Sequence, residues 1–427
     1  MLIFNILDLF HNFNQQRYKK NGFLTLIYRN RYAMLFLCLL TLFFTCNEYP
    51  IRINYLEKDM KNLFFMMLTL LATACMPRDG KGQGAELCML VGTYTGESSH
   101  GIYTFRFNQE TGQAVMHDSF AMSHPSYLTP SADGQRVYAV SEMDDASAAV
   151  VALELDKMTG KLTQLGAQPT LGGAPCYVAT NGRSVLTANY SGGTMSVFPL
   201  RADGRLEPVD SLFQGSATGP DKDRQQEAHV HCACFSPDGN YIFATDFSAD
   251  RIQRFLVHPD EASPQALAET VDLAPGSGPR HLTFSPNGRQ AYLINELSGK
   301  VVVFDYLNGQ LHQKQVIAAD TLGARGSADI HLSPDGRYLY ASNRLKGDGL
   351  AIFSVNPTDG TLAKVGYQLT GLHPRNFSIT PNGRYLLVAC RDSDVIQVFL
   401  RNEETGALTP TQQDIYLSQP VCIQFVR

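Results

Sequence analysis

An all-β fold, a seven-bladed β-propeller closed by pairing of its N- and C-terminal strands, is predicted by three features of the sequence. A turn motif recurs at near-constant spacing. Short runs rich in Val, Ile, Tyr and Phe flank it. The final repeat is divided between the two ends of the body. The motif is Ser-Pro-Asp-Gly or a close variant, with glycines at positions 134, 182, 239, 288, 336 and 383, separated by 48, 57, 49, 48 and 47 residues. Asp-Gly and Asn-Gly accept the positive φ that tight hairpins demand. Runs such as Arg337-Tyr338-Leu339-Tyr340-Ala341-Ser342 read as strands.

A period near 48 residues holds about four short strands with their turns, the size of one propeller blade. Six turns define six blades, and the ends supply the seventh. Gln419-Pro420-Val421-Cys422-Ile423-Gln424-Phe425 looks like the strand before each turn, and Leu87-Cys88-Met89-Leu90-Val91-Gly92-Thr93-Tyr94 like the strand after it. Joining them closes a ring and removes exposed sheet edges. No part of the body carries a long helical period with caps. Trp is absent, which excludes a repeat built on a Trp-Asp dipeptide.

Composition narrows the function classes. At 44% hydrophobic and 18% charged residues, the chain can bury a large core. Lys and Arg number 35 against 40 Asp and Glu, so no basic surplus marks a nucleic-acid partner. The nine cysteines (Cys38, Cys46, Cys75, Cys88, Cys176, Cys232, Cys234, Cys390 and Cys422) form no CxxC pair and read as buried thiols. A monomer acting on a small molecule is the expectation.

The N-terminal region has its own logic. Ala33 to Cys46 and Leu63 to Cys75 are apolar runs without charges, both shorter than the roughly 20 residues of a spanning helix. Met60-Lys61-Asn62, the second run and Ala72-Thr73-Ala74-Cys75 together have the layout of a secretory signal. That layout resembles a bacterial lipoprotein signal, in which the cysteine, here Cys75, is lipidated. The expected organisation is an over-called extension at 1–59, a signal peptide at 60–75, a flexible tether at 76–86 and the propeller at 87–427. The protein would then be exported, either membrane-anchored through the lipid alone or periplasmic. An uncleaved anchor and a cytoplasmic location are the alternatives.

Repeat register places the variable chemistry. Five residues before each turn stand Ser126, Ala174, His231, Arg280, Ala328 and Arg375, with Val421 equivalent at the end. Eight residues after each turn glycine stand Glu142, Tyr190, Phe247, Glu296, Arg344 and Arg391. Positions far from a hairpin turn on both strands lie near one rim. A scaffold that repeats in its core and varies in charge at one rim is what a binding or catalytic face looks like. Other loaded residues stand close in sequence: His229, Asp246, His281, Asp329 and His331.

Each carries a plainer reading beside the functional one. His229-Val230-His231-Cys232-Ala233-Cys234 suggests zinc, but strand alternation puts the two His and the two Cys on opposite faces. The His pair with a distant carboxylate, a His pair bonding within the ring, and a single catalytic or substrate-binding His231 all stay open. Arg280 and Arg344 could be ion-pair partners of Glu296 and Asp246. Their placement near one rim in consecutive blades favours gripping an anionic substrate instead, whose oxygens match the guanidinium fork. Tyr190 and Phe247 read as rim packing. There is no Gly-rich phosphate loop and no Gly-x-Ser-x-Gly elbow to support serine-hydrolase chemistry.

The ordered set His231-Cys232-Ala233-Cys234-Phe235-Ser236-Pro237-Asp238, Gly278-Pro279-Arg280-His281, Asn295-Glu296-Leu297, Ala328-Asp329-Ile330-His331-Leu332-Ser333-Pro334-Asp335-Gly336-Arg337 and Pro374-Arg375 resembles the lactonase family of seven-bladed propellers. That family includes the propeller-type bacterial 6-phosphogluconolactonases and is related to the 3-carboxy-cis,cis-muconate lactonizing enzymes. The resemblance covers about residue 87 to the C-terminus. It implies a carboxylic-ester hydrolase without metal or cofactor, opening a sugar-acid lactone, 6-phosphogluconolactone first. It implies His231, Arg280, Glu296 and Arg344 as catalytic residues, while His281, Asp329, His331 and Arg375 match its motif positions with roles less defined; together with His229 and Asp246, placed near the same rim by their position in the repeat, these are the expected substrate-binding residues. His231 would activate water, Arg280 would hold the oxyanion, Arg344 would bind the substrate's phosphate or carboxylate, and Glu296 would orient Arg280 or relay a proton. A lactone-forming isomerase of muconate type and a non-catalytic exported binding module are the alternatives.

Overall fold

The computed structural model describes residues 85–96, 98–257 and 264–426. The expectations for 1–59, 60–75 and all but the last two residues of 76–86, Cys75 included, lie outside the described residues. No helix among the described residues is long and apolar enough to cross a membrane.

Seven antiparallel sheets of four or five strands make up the body. Blades 1 to 6 begin with the strands Leu128–Pro130, Pro175–Thr180, Val230–Phe235, Pro279–Phe284, Ser327–Leu332 and Pro374–Ile379. Blade 7 runs Pro420–Val426, Glu86–Thr93, Gly101–Asn108, Ala114–Ala121, so the two ends of the body share one sheet. Cys88 pairs with Val426 and Val91 with Ile423 across that seam. The first strands of successive blades touch in a closed cycle, blade 7 against blade 1 included, and therefore line the ring's centre.

The turn motif works as its residues dictate. In blade 3, Ser236 Oγ donates to Asp238 Oδ1 at 2.6 Å and accepts from Tyr241 N at 3.0 Å, while Asp238 Oδ1 also accepts from Asn240 N. Gly239 takes a φ of 72°, which a side chain would strain. The second strands add inter-blade ties. Tyr138, Tyr292, Tyr340 and Tyr385 donate their hydroxyls to backbone carbonyls of Gly204, Gly360, Gly406 and Glu110 in the next blade. Between blades the apolar faces interleave: Tyr340, Leu350 and Ile352 of blade 5 pack on Phe377, Leu386 and Val388 of blade 6, and this burial supplies the main stabilisation.

One irregularity recurs and controls the site. In blades 2, 3, 4 and 6 the first strand carries one residue too many against its partner: Pro175 pairs with Asn189 but Tyr177 with Ala188. The surplus residues are Cys176, His231, Arg280 and Arg375. Blade 7 does the same at Val421, and blade 5 across Ala328 and Asp329. A β-bulge re-aims its side chain, so the same position is turned out of the sheet in blade after blade. Counting from the turn puts Ala174 at this position in blade 2; the structure corrects it to Cys176. There the hairpin closes between Thr180 and Val185, tighter than the Phe235 to Ile242 closure of blade 3, so the count slips by two residues.

Candidate active site

The bulged residues and those that follow each second strand meet at one mouth of the ring. Arg280 Nη1 lies 2.7 Å from His231 Nε2 and 2.5 Å from Glu296 Oε2. Arg344 Nη2 lies 3.3 Å from the same carboxylate oxygen, and Arg224 Nη2 is 2.9 Å from the other one. Arg344 further donates through Nε to Gly326 O and sits 3.0 Å from His373 Nε2. His231, Arg280, Glu296 and Arg344 are each at most 5% exposed.

Electrostatics follow from this packing. Burial alone would raise the Glu296 pKa, but the guanidiniums of Arg280, Arg344 and Arg224 override it and hold the group well below the usual carboxylate range. Burial pushes His231 well below its ordinary value, and the charge of Arg280 pushes it further. Burial and the neighbouring Arg280 lower Arg344 to about 9. A neutral His231 whose Nε2 accepts from a guanidinium must carry its proton on Nδ1, which faces Cys176 Sγ at 3.5 Å. Arg280 Nε, though buried, has no partner among the described residues.

Aromatic and acidic groups complete the mouth. Tyr190 stacks on His229 at 4.0 Å and meets His231 edge-on. His229 Nδ1 is 2.8 Å from Tyr190 O. Arg375 lies over the Tyr94 ring at 5.5 Å, and the Tyr94 hydroxyl donates to both oxygens of Glu142 at 3.0 Å. Four guanidinium charges (Arg224, Arg280, Arg344 and Arg375) thus face two carboxylates, Glu296 and Glu142.

One residue further along each first strand lies a second tier. Tyr127 stacks on Tyr177, whose ring meets His281. His281 Nδ1 donates to Asp329 Oδ1 at 2.8 Å. Asp329 also accepts from His331 Nε2 at 2.9 Å, Asn376 Nδ2 at 2.6 Å and the backbone of Ile330 and Phe377. Burial opposes its charge; His331 and His281 restore it and keep the carboxyl well below its usual range.

The sequence-predicted residues therefore divide. His231, Arg280, Glu296 and Arg344 converge, with His229 and Arg375 beside them. His281, Asp329 and His331 form the second tier instead. Asp246 joins neither; its Oδ2 accepts from Ser216 N at 3.0 Å and anchors a loop. The alternation expected across His229 to Cys234 is broken by the bulge at His231, and His229 precedes the strand. Among the described residues, no three His, Cys, Asp or Glu are grouped to hold a metal ion.

Sequence reading missed Arg224, Tyr94, Cys176 and His373. Only Arg224 left a trace, the 57-residue interval between the glycines at 182 and 239. His373 adopts a φ of 59° just before its strand.

Comparison with known proteins agrees with this fold. Residues 88–425 match the family described as Lactonase, 7-bladed beta-propeller. A 6-phosphogluconolactonase of Formosa agariphila is 35% identical over 347 residues, covering 79% of this chain and 98% of its own. A solved Bacteroides uniformis structure is 69% identical with a TM-score of 0.80, covering 80% of this chain and all of that one. The periplasmic gluconolactonase of Pseudomonas aeruginosa is 36% identical with a TM-score of 0.76, covering 80% and 99%.

Proposed function

The chain belongs to the seven-bladed β-propeller lactonase family, and from that premise we propose that it hydrolyses a sugar-acid lactone, 6-phosphogluconolactone to 6-phosphogluconate in the first instance. The observation that carries this reading is Glu296 clamped by Arg280, Arg344 and Arg224 beside a neutral His231. Such a mouth is cationic, holds a base in its unprotonated form, and keeps a buried guanidinium donor in reserve.

The steps follow from the contacts. The lactone carbonyl oxygen draws the Arg280 donors, which frees the His231 Nε2 lone pair. Water attacks the carbonyl carbon as His231 Nε2 takes its proton. The oxyanion rests on Arg280, whose charge is thereby offset, and the pKa of His231 rises to meet the proton it holds. The ring C–O bond then breaks, and the imidazolium returns its proton to the departing alkoxide. Collapse leaves a carboxylic acid, which loses its proton to solvent, and the resulting carboxylate keeps Arg280 occupied until release. Glu296 orients Arg280 and Arg344 and balances their charge. Arg344, bonded to Glu296, Gly326 O and His373, serves in this reading as a clamp on that carboxylate, in place of the expected grip on the substrate's phosphate or carboxylate.

Hydrolysis followed by pH-stat, with 6-phosphogluconolactone beside unphosphorylated gluconolactone, tests the reading. Turnover of either that is abolished in His231→Ala is the expected result; undiminished turnover in that variant removes His231 as base. Export is part of the proposal: the signal-like run to Cys75 and the periplasmic location named for the Pseudomonas relative support it. Fractionation, and loss of lipid labelling in Cys75→Ser, would check it.

A further inference from the structure

The loop joining blades 2 and 3 spans residues 215–229, whereas the corresponding loops before blades 4 and 5 span only 273–278 and 319–326. It is built rigidly. Ser216 is held by Asp246, Gly219 N donates to Ser248 O at 2.7 Å, and the fully buried Gln225 donates to Phe247 O and Asp250 Oδ1 at 2.9 and 2.8 Å. Asp221 Oδ1 accepts from the backbone of Asp223 and Arg224, and its other oxygen pairs with Arg325 beyond blade 4. This arch carries Arg224 across the mouth, from a root between blades 2 and 3 to Glu296 of blade 4.

Arg224 differs from the other guanidiniums bonded to Glu296. Its side chain is 37% exposed, against 3% for Arg280 and 6% for Arg344. It lies over the Phe247 ring at 5.4 Å, and Nη2 makes both polar contacts, to Glu296 and to the Tyr190 hydroxyl at 3.3 Å. No described residue bonds its remaining edge. That leaves a solvent-facing guanidinium edge, fixed in place, above a carboxylate that already occupies the buried arginines.

We propose that Arg224 is the specificity-determining residue of this site: it holds a phosphate at the end of the substrate remote from the lactone carbonyl, so the preferred class is a phosphorylated sugar-acid lactone. The inference rests on the lactonase reading and extends it to substrate choice. A guanidinium edge offers two parallel N–H donors to two phosphate oxygens. An ammonium in its place keeps the charge and loses the fork.

The test compares the ratio of kcat/KM for 6-phosphogluconolactone to that for gluconolactone in the full chain, in Arg224→Ala and in Arg224→Lys. The expected result is a ratio lowered by about 10- to 100-fold in Arg224→Ala, mainly through KM, with Arg224→Lys in between. Equal loss on both lactones would show that Arg224 only steadies Glu296, and would overturn the proposal. Calorimetric binding of 6-phosphogluconate and gluconate decides the point independently of turnover. The phosphate should strengthen binding to the unaltered protein and not to Arg224→Ala. Should neither lactone be turned over while that difference persists, the lactonase reading fails and the Arg224 assignment stands. An increment that survives in Arg224→Ala sinks the assignment whatever the turnover.

Discussion

The mouth and the tier beneath it are neighbours in sequence and opposites in chemistry. In blades 3, 4 and 6 they are consecutive residues: His231 and Cys232, Arg280 and His281, Arg375 and Asn376. The upper set leaves charge unbalanced and a buried donor, Arg280 Nε, unpartnered. In the lower set one carboxylate, Asp329, receives two imidazoles, an amide and two backbone donors from blades 4, 5 and 6. A carboxylate saturated with donors is what a structural knot needs, even though His281 Nε2 beside it has no partner among the described residues, whereas an unmatched donor awaiting a ligand is what a reactive site needs. A bulge of one residue lets a single strand supply both.

The lower tier should show the largest effect on stability. Asp329→Ala strands the buried imidazole of His281, the partly exposed one of His331 and a buried amide, and stability should fall by about 3–5 kcal/mol, read as a lowered urea midpoint. Activity of the protein that remains folded should stay within a few-fold. A variant that melts normally yet loses turnover would erase the distinction between tiers.

The upper tier should show the reverse. Arg280→Met removes the oxyanion donor and should lower kcat by about 10²- to 10³-fold, roughly 2.7–4 kcal/mol, with little change in the urea midpoint. Loss of folding as severe as in Asp329→Ala would place Arg280 in the structural class.

The pH responses sharpen the comparison further. His231 is depressed, so it stays unprotonated as pH falls through the usual histidine value of about 6.5. The acid limb of kcat/KM on gluconolactone should therefore lie below that value. A limb centred at or above it would mean that Arg280 does not rest on His231 in solution. His281 acts on stability instead. Its folded pKa is lowered to about 4, so the unfolded chain binds the extra proton first as pH drops. Stability due to this group is complete above about pH 6.5 and is lost progressively toward pH 4. In His281→Gln the dependence of the melting temperature on pH over that window should flatten.

The smallest effect belongs to Cys176→Ser. It keeps a partner for His231 Nδ1 and should change kcat by no more than a few-fold, as initial rates would show. A loss as large as that of Arg280→Met would make the Sγ contact essential.

Much of this was readable from the chain because propellers repeat. Ser-Pro-Asp-Gly marks one hairpin per blade, and the split repeat at Leu87–Tyr94 and Gln419–Phe425 announces the closure. Once the period is known, counting reaches His231, Arg280, Glu296 and Arg344. The count is blind to register inside a hairpin, which is why blade 2 offered Ala174 in place of Cys176. It is equally blind to bulges, since a surplus residue leaves no compositional mark, and so it could not separate Arg280 from His281. Arg224 obeys no strand register at all; a loop residue is placed by its own turns and anchors, and only the interval of 57 hinted at it.

The seam of blade 7 has a mechanical corollary. Glu86 and Val426 leave the ring from adjacent antiparallel strands at the same end, next to the Cys88–Val426 pair. Tension applied between those two points would peel the backbone bonds apart one after another, as a zipper opens, whereas shear would load them all together. The other blades, each sewn by continuous hairpins, would feel that force only after the seam had parted. Pulled from its own ends, the ring should yield first at blade 7 and open into a fan.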